Sequence, residues 1–213
     1  MAKSVYVTAF IATIAIMLIV FFSVSISEAN RVSEFNEEIK QISLENDLQS
    51  AFADFDSNNA EVFCLVMSQS INNLSNRSSS LEKKLLAYMD NSFNTKEFYL
   101  AKRSFLISNM LLYRNFQRAR EFCDFNVIPV LFFYAEDSSC DVECGLIGAQ
   151  LDSLASECSS FRAFNFPFNW ESYEFTKILE VKYGVEKAGT LVIGSEIISH
   201  PISIEELKTK LGC

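Results

Sequence analysis

The chain has 213 residues, a hydrophobic fraction of 49% and a net charge of −9, which suits a membrane segment plus one or two small domains with packed cores. Most of the acidic excess falls in residues 127–213. It argues against nucleic acid as a partner, because binding to phosphates needs Lys and Arg. The six cysteines form an even set, which is typical of disulfides in an exported protein and of thiols or metal ligands in a cytosolic one.

The N-terminus carries 24 residues without a charge, Ser4 to Ser27, and predicts a transmembrane helix over residues 4–27. Such a helix would be about 36 Å long, enough to cross a hydrocarbon core of ~30 Å. Because Lys3 precedes it and positive charge prefers the cytoplasmic side, we expect a single-pass protein of the cell membrane with its N-terminus in the cytoplasm. The alternative is a cleaved signal peptide, although the apolar stretch is long for one. In both cases the cysteines would lie outside the cytoplasm, where disulfides form.

Residues 28–125 contain no Gly and no Pro and predict an all-helical extracytoplasmic region. One helix is expected to begin near Asn58 and to break at the polar stretch 72–80. The longest helix is expected to run from Asn94 to Asp124. We interpret this region as a packing and spacing layer between the membrane and the C-terminal part.

From residue 126 onward the pattern changes to short apolar runs that alternate with amphipathic helices. A right-handed crossover makes the first two strands parallel, and the last two strands form a hairpin. Ser203 is placed to cap the last helix. The predicted strands are 127–135, 161–166, 190–193 and 196–199, and the predicted helices are 141–156, 170–183 and 204–211.

This order resembles the thioredoxin fold over about residues 126–213. The segment VLFFYAE at 130–136 is similar to the strand that leads into that family's active site. The segments YGV at 183–185 and TLVIG at 190–194 are similar to the end of its second helix and to its third strand. The resemblance implies an α/β chain, with a thioredoxin-like βαβαββα domain at 126–213 that follows the transmembrane helix and the helical region.

Cys140 and Cys144 fall where the first strand ends and the next helix begins, and a helix N-terminus stabilises a thiolate. The resemblance implies thiol-disulfide exchange, in which Cys140 is the exposed attacking thiol and Cys144 resolves the mixed disulfide. It places Gly189 and Thr190 at the substrate-binding position. The implied partners are protein thiols or disulfides, or a membrane redox partner, and no cofactor is implied.

Three features depart from that family's pattern. Three residues separate the two cysteines instead of two, Gly189 stands where a cis-proline is usual, and Phe132 stands where some members have a buried acid. The local charge also opposes a free thiolate by like-charge repulsion, since four acidic residues surround the pair: Glu136, Asp137, Asp141 and Glu143.

Two alternatives to exchange chemistry therefore stay open. The Cys140–Cys144 pair could be a local clamp in a non-catalytic binding or structural module. It could also bind copper, as two cysteines of this spacing do in copper-delivery proteins of thioredoxin fold. Those proteins add a histidine just before the third strand, whereas His200, the one histidine here, follows the fourth strand. We expect His200 to be an ordinary loop residue and predict no metal site.

The other four cysteines are expected to be structural. The resemblance implies that the first and last helices of the C-terminal domain lie on one face of the sheet and run the same way. Their ends, Cys158 and Cys213, should then be neighbours and form a disulfide. Cys64 and Cys123, each near an apolar helix face, would form the third bridge.

Overall fold

The computed structural model describes residues 60–89, 96–169 and 174–213, together with scattered helical positions between 13 and 44. Most of the predicted transmembrane segment, 4–27, and the expected helix start near Asn58 lie outside the described residues. Within the part of the chain that is described, no helix is long and apolar enough to span a bilayer.

The chain divides into two compact units, one made of Met1–Leu48 and Ser79–Phe105, the other of Gln49–Ser78 and Leu106–Cys213. Helices α1, Ala60–Met89, and α2, Lys96–Phe122, contribute to both units. In the first unit, Leu81 and Ala101 form a small buried core. All further elements belong to the second unit.

Helix α1 runs without interruption through the polar stretch 72–80, so the predicted break is wrong. The stretch contains no Gly or Pro, and polar side chains on α1 find partners on α2. Ser78 Oγ donates to Asn109 Oδ1 at 2.6 Å, and Asn115 Nδ2 donates to Ser70 Oγ at 3.1 Å. These hydrogen bonds satisfy buried polar groups that would otherwise favour a loop.

The second unit is built on a four-stranded mixed sheet with the strand order β2-β1-β3-β4. Strands β1 and β2 are parallel, whereas β1 with β3 and β3 with β4 are antiparallel. The strands are β1 Ile128–Tyr134, β2 Phe161–Pro167, β3 Thr190–Ile193 and β4 Glu196–Ile198.

Three helices follow strands of this sheet. Helix α3 connects β1 to β2, α4 connects β2 to β3, and α5 ends the chain. As expected from the sequence, Ser203 caps α5 by accepting the amide N–H of Glu206. The helices are α3 Asp141–Glu157, α4 Glu174–Tyr183 and α5 Ile204–Leu211; the expected first turns of α4, residues 170–173, lie outside the described residues.

Alternate residues of the strands supply the cores on both faces of the sheet. On one face, Val130 and Phe132 pack with aliphatic side chains of α3 and α5. On the other face, Phe164 meets Tyr113 and Phe116 of α2 edge-on, with ring centroids 5.5 and 5.6 Å apart. Covered on both faces, the sheet holds the carboxyl end of β1 in a fixed place.

Candidate functional site

The Cys140–Cys144 disulfide lies at the carboxyl end of β1, where α3 begins. Between β1 and α3 the chain makes one turn of 3₁₀ helix, Ser138–Cys140. Asp137 caps this turn by accepting the amide N–H of Ser139 at 3.0 Å. Cys140 is the N-cap residue of α3, and Cys144 lies in its first turns. The Cys140 side chain makes no capping hydrogen bond in the disulfide-bonded protein, but the first N–H groups of α3, which lack partners within the helix, lie next to this residue.

The burial of the two cysteines differs from the expectation. Cys140 has only 6% of its surface exposed, so the prediction of an exposed thiol is wrong for the disulfide-bonded protein. The physical reason is that Cys140 forms the floor of a cleft and is covered from above by the backbone of Gly189. Cys144 is half-buried and packs against the core between α3 and the sheet. Cys140 is thus the sulfur that faces the cleft.

Gly189 crosses directly over the disulfide. A Cβ added to it would lie 3.2 Å from Cys140 Sγ and 3.1 Å from Glu143 Cδ, and its φ is +77°. Its amide donates to the carbonyl oxygen of Phe133 at 2.8 Å. A proline could not take this place, because it has no N–H and its φ is fixed near about −65°. The glycine in the sequence therefore has a geometric cause.

Thr190, the second residue expected at the substrate-binding position, turns its side chain away from the cleft. It is fully buried, and its hydroxyl donates to the carbonyl oxygen of Lys187 at 2.8 Å. This bond closes the loop 187–190 and fixes Gly189 above Cys140. Of the two residues, Gly189 alone is brought against the disulfide.

An open cleft of about 510 Å³ lies above Cys140. Its walls are the turn after β1, Phe168 and Asn169 after β2, and the loop 186–188 before β3. Among the described residues, four carboxylates and one ammonium group line it: Glu136, Asp137, Glu143, Glu186 and Lys187. Asp141, which the sequence also groups with the pair, is exposed on α3 and does not line the cleft.

Hydrogen bonding keeps one of these carboxylates charged. The bonds from the side chain and the backbone of Ser139 lower the pKa of Asp137 below its ordinary value. The sequence identifies Glu136, Asp137 and Glu143 as neighbours of the cysteines. It gives no signal for Glu186 and Lys187, because only the strand order places their loop beside the end of β1.

A buried acid on α4 fixes another wall of the cleft. Glu180 is 2% exposed, and its carboxylate accepts the amide N–H of Asn169 at 2.7 Å and the ammonium of Lys177 at 2.9 Å. Asn169 has a φ of +52°, a conformation that the bond to Glu180 holds in place. Sequence reasoning missed this role, since nothing local distinguishes Glu180 from a solvated helix residue.

The other cysteines form the pairs that the sequence predicts. One disulfide joins Cys64 of α1 to Cys123 after α2, and another joins Cys158 to Cys213 at the ends of α3 and α5. Near the second, the hydroxyl of Ser160 donates to the carbonyl oxygen of Leu211 at 2.8 Å. All six cysteines are paired.

His200 does not line the cleft. It is exposed, and its Nδ1 lies 3.0 Å from the carbonyl oxygen of Pro201. Among the residues that the structure describes, no three side chains of His, Cys, Asp or Glu are grouped to hold a metal ion. Comparisons of the chain with protein-family models, with curated proteins and with solved structures give no match.

Proposed function

We propose that this protein is a membrane-anchored, extracytoplasmic protein of thioredoxin-like fold that exchanges thiols and disulfides through Cys140 and Cys144. The observation that carries the proposal is the position of Cys140. Cys140 is the N-cap residue of α3 at the end of the central strand β1, it lines an open cleft, and its sulfur lies close to Gly189. The strand order β2-β1-β3-β4, with β1 and β2 parallel and β3 and β4 antiparallel, supports the proposed fold.

The exchange begins when a thiolate of the partner attacks Sγ of Cys140. The Cys140–Cys144 bond breaks, a mixed disulfide forms, and Cys144 leaves with the electron pair and takes a proton from water. A second thiol of the partner, as thiolate, attacks the partner's sulfur in that mixed disulfide and releases Cys140 as a thiolate. The partner's dithiol is oxidised to a disulfide, and the Cys140–Cys144 pair is reduced. The same steps in reverse reduce a partner disulfide.

The geometry supports Cys140 as the sulfur that forms the mixed disulfide. It faces the cleft, and as N-cap residue of α3 its thiolate would lie near unpaired N–H groups, which stabilise the negative charge. Cys144 packs against the core and does not line the cleft, although it is the more exposed of the two cysteines. From there it can re-attack Cys140.

The second candidate is a binding or structural module in which the disulfide stays closed. The 6% exposure of Cys140 and the four carboxylates around it favour this candidate. The small stabilisation expected from this disulfide argues against a purely structural role for the pair. Three buried side chains of α3, Ile147, Leu151 and Leu154, contribute about 1.5–3 kcal/mol each. Closing a loop as short as that between Cys140 and Cys144 adds only about 2 kcal/mol.

The location follows from the predicted segment 4–27, which would anchor the chain with the cytoplasm on its N-terminal side. The three disulfides support an oxidising compartment for the C-terminal part. The partners would then be protein thiols or disulfides in that compartment, or a redox protein of the same membrane.

Trapping of a mixed disulfide tests the exchange. In the full-length protein, Cys144→Ser leaves Cys140 without its resolving thiol, so incubation with the small cationic disulfide cystamine should give one stable adduct at Cys140. Cys140→Ser, the matched control, leaves only Cys144, which lies outside the cleft, and should give little adduct. Peptide mapping by mass spectrometry locates the adduct. Equal labelling of the two variants, or no labelling of either, would refute the proposed roles.

A further inference from the structure

We infer that the exchange site accepts polypeptides whose reacting cysteine is flanked by Lys or Arg, and that this cationic flank supplies the positive charge that the site around Cys140 lacks. The inference rests on the proposed function and specifies its substrate class. It joins three observations: the cleft is large and open to solvent, its lining carries an excess of negative charge, and the buried Cys140 is one of its lining residues.

The cleft is a concave surface with a strong excess of one sign of charge. Glu136, Asp137, Glu143 and Glu186 line it, and Lys187 is the only base among the described lining residues. Charges of one sign in a concave site focus their field and raise the local concentration of opposite charge. A cationic segment is therefore attracted to the cleft, and an acidic one is repelled.

One carboxylate lies near the sulfur. Glu143 Cδ and Cys140 Sγ are neighbours, because they lie 3.1 and 3.2 Å from the same point, where a Cβ of residue 189 would be. Asp137 and Cys140 belong to the same short turn. A thiolate at Cys140 is consequently opposed by fixed negative charge as well as supported by the helix N-terminus.

A basic partner offsets the negative charge that opposes a thiolate at Cys140. Its Lys or Arg side chain would pair with the carboxylates while its cysteine reaches Cys140, so that the thiolate forms next to positive charge only when such a partner is bound. The free site then stays a closed disulfide. The same carboxylates thus select the partner and restrict the chemistry to the bound state.

The size of the cleft favours a polypeptide over a bare ion. A volume of about 510 Å³ lies in the range of about 300–1,000 Å³ that small-ligand pockets span, and a hydrated divalent ion would fill a small part of it. The loop 186–188 and the turn after β1 stand on either side, which leaves room for the cysteine of an extended segment and a neighbouring long side chain.

The experiment compares three dithiol peptides that differ only in whether Lys, Gln or Glu flanks the reacting cysteine. Their rates of reducing the Cys140–Cys144 disulfide of the full-length protein are measured by alkylation and mass spectrometry. Each rate is divided by the peptide's rate with a small neutral disulfide, which removes differences in intrinsic thiol reactivity. At low ionic strength we expect the Lys peptide to exceed the Glu peptide by about tenfold or more, and 1 M salt should compress the ratio.

Two charge-reversal variants distinguish an effect of the charges in the cleft from an effect of the protein's net charge. Glu186→Lys changes a lining residue, whereas Asp152→Lys makes the same change on an exposed position of α3 outside the cleft. Glu186→Lys should remove most of the preference for the Lys peptide, and Asp152→Lys should keep it. Equal normalised rates for the three peptides, or equal losses in both variants, would overturn the inference while the exchange itself stands. Absence of exchange with every peptide would instead refute the proposed function.

Discussion

Gly189 and Cys140 approach so closely that no side chain fits between them: a Cβ at residue 189 would lie 3.2 Å from the sulfur. Residues 49 positions apart in the chain meet here because β3 pairs with β1 and begins where β1 ends. The contact makes the loop before β3 the lid of the disulfide and fixes which sulfur faces the cleft.

Gly189→Ala should destabilise the protein more than a left-handed backbone alone explains. The matched control is Gly194→Ala, since Gly194 also has a positive φ, +64°, but has open space where the Cβ would lie. The free energy of unfolding should fall by about 1 kcal/mol in the control and by about 2–3 kcal/mol in Gly189→Ala, where backbone strain and crowding add together. Urea unfolding of the full-length variants measures both, and equal losses would show that the contact over Cys140 is loose.

Truncation of Glu143 should relieve part of that crowding. In Gly189→Ala, the new Cβ meets Glu143 Cδ at 3.1 Å, so Glu143→Ala in the same chain removes one of the two close contacts. The double variant should be more stable than the sum of the single changes predicts, by about 0.5 kcal/mol or more. Strict additivity in unfolding experiments would contradict the side-chain position described.

The disulfides should differ in their contribution to stability according to loop length. Cys158 and Cys213 are 55 positions apart, and Cys140 and Cys144 are 4 apart. Replacing both cysteines by Ser should lower the free energy of unfolding by about 4 kcal/mol for the long loop and about 2 kcal/mol for the short one. A larger loss for the Cys140–Cys144 pair would favour its role as a clamp.

Removal of the Glu180 carboxylate should destabilise the wall of the cleft. Glu180→Ala leaves the amide of Asn169 without its acceptor and should cost about 1–3 kcal/mol. Glu180→Gln keeps a carbonyl oxygen there and should cost less. Lys177→Ala, the control, removes only the exposed partner of the ion pair, so a loss of about 0–1 kcal/mol is expected. A loss for Lys177→Ala as large as that for Glu180→Ala would reassign the effect to the ion pair.

Asp137 should make the site sensitive to acid. Its pKa is lowered in the folded protein from an ordinary value of 3.8, so its capping contribution is fully present above about pH 4 and is lost as the pH falls through the lowered value. Asp137→Ala should therefore be less stable than the parent chain at pH 7, and the difference should shrink towards pH 2. A difference that stays constant over this range would exclude an ionised cap.

Local sequence signals predict the elements of the second unit well. The apolar runs and the turn residues give β1, β3 and α5 within one residue at each end, and Ser203 caps α5 as expected. The Cys158–Cys213 pair follows from the expectation, implied by the resemblance, that α3 and α5 lie side by side; in the structure Leu154 of α3 and Leu207 of α5 belong to one buried core.

What the sequence misses depends on contacts between distant segments. Helix α1 continues through 72–80, where Ser78 finds a partner in Asn109 of α2, and a propensity argument does not include such a partner. Cys140 is buried because Gly189 covers it, and Glu186 joins the cleft through the strand order. In each case the deciding group is remote in sequence and leaves no local trace.

The reduction potential of the Cys140–Cys144 pair distinguishes a redox-active disulfide from a structural one. The full-length protein is equilibrated in glutathione buffers, and the fraction of reduced pair is determined by alkylation and mass spectrometry, with Cys158–Cys213 as an internal structural reference. A redox-active pair is predicted to have a potential between about −120 and −230 mV, well above that of the reference. A potential below about −300 mV, together with reduction of both pairs over the same range, would exclude exchange chemistry and identify Cys140–Cys144 as a structural disulfide.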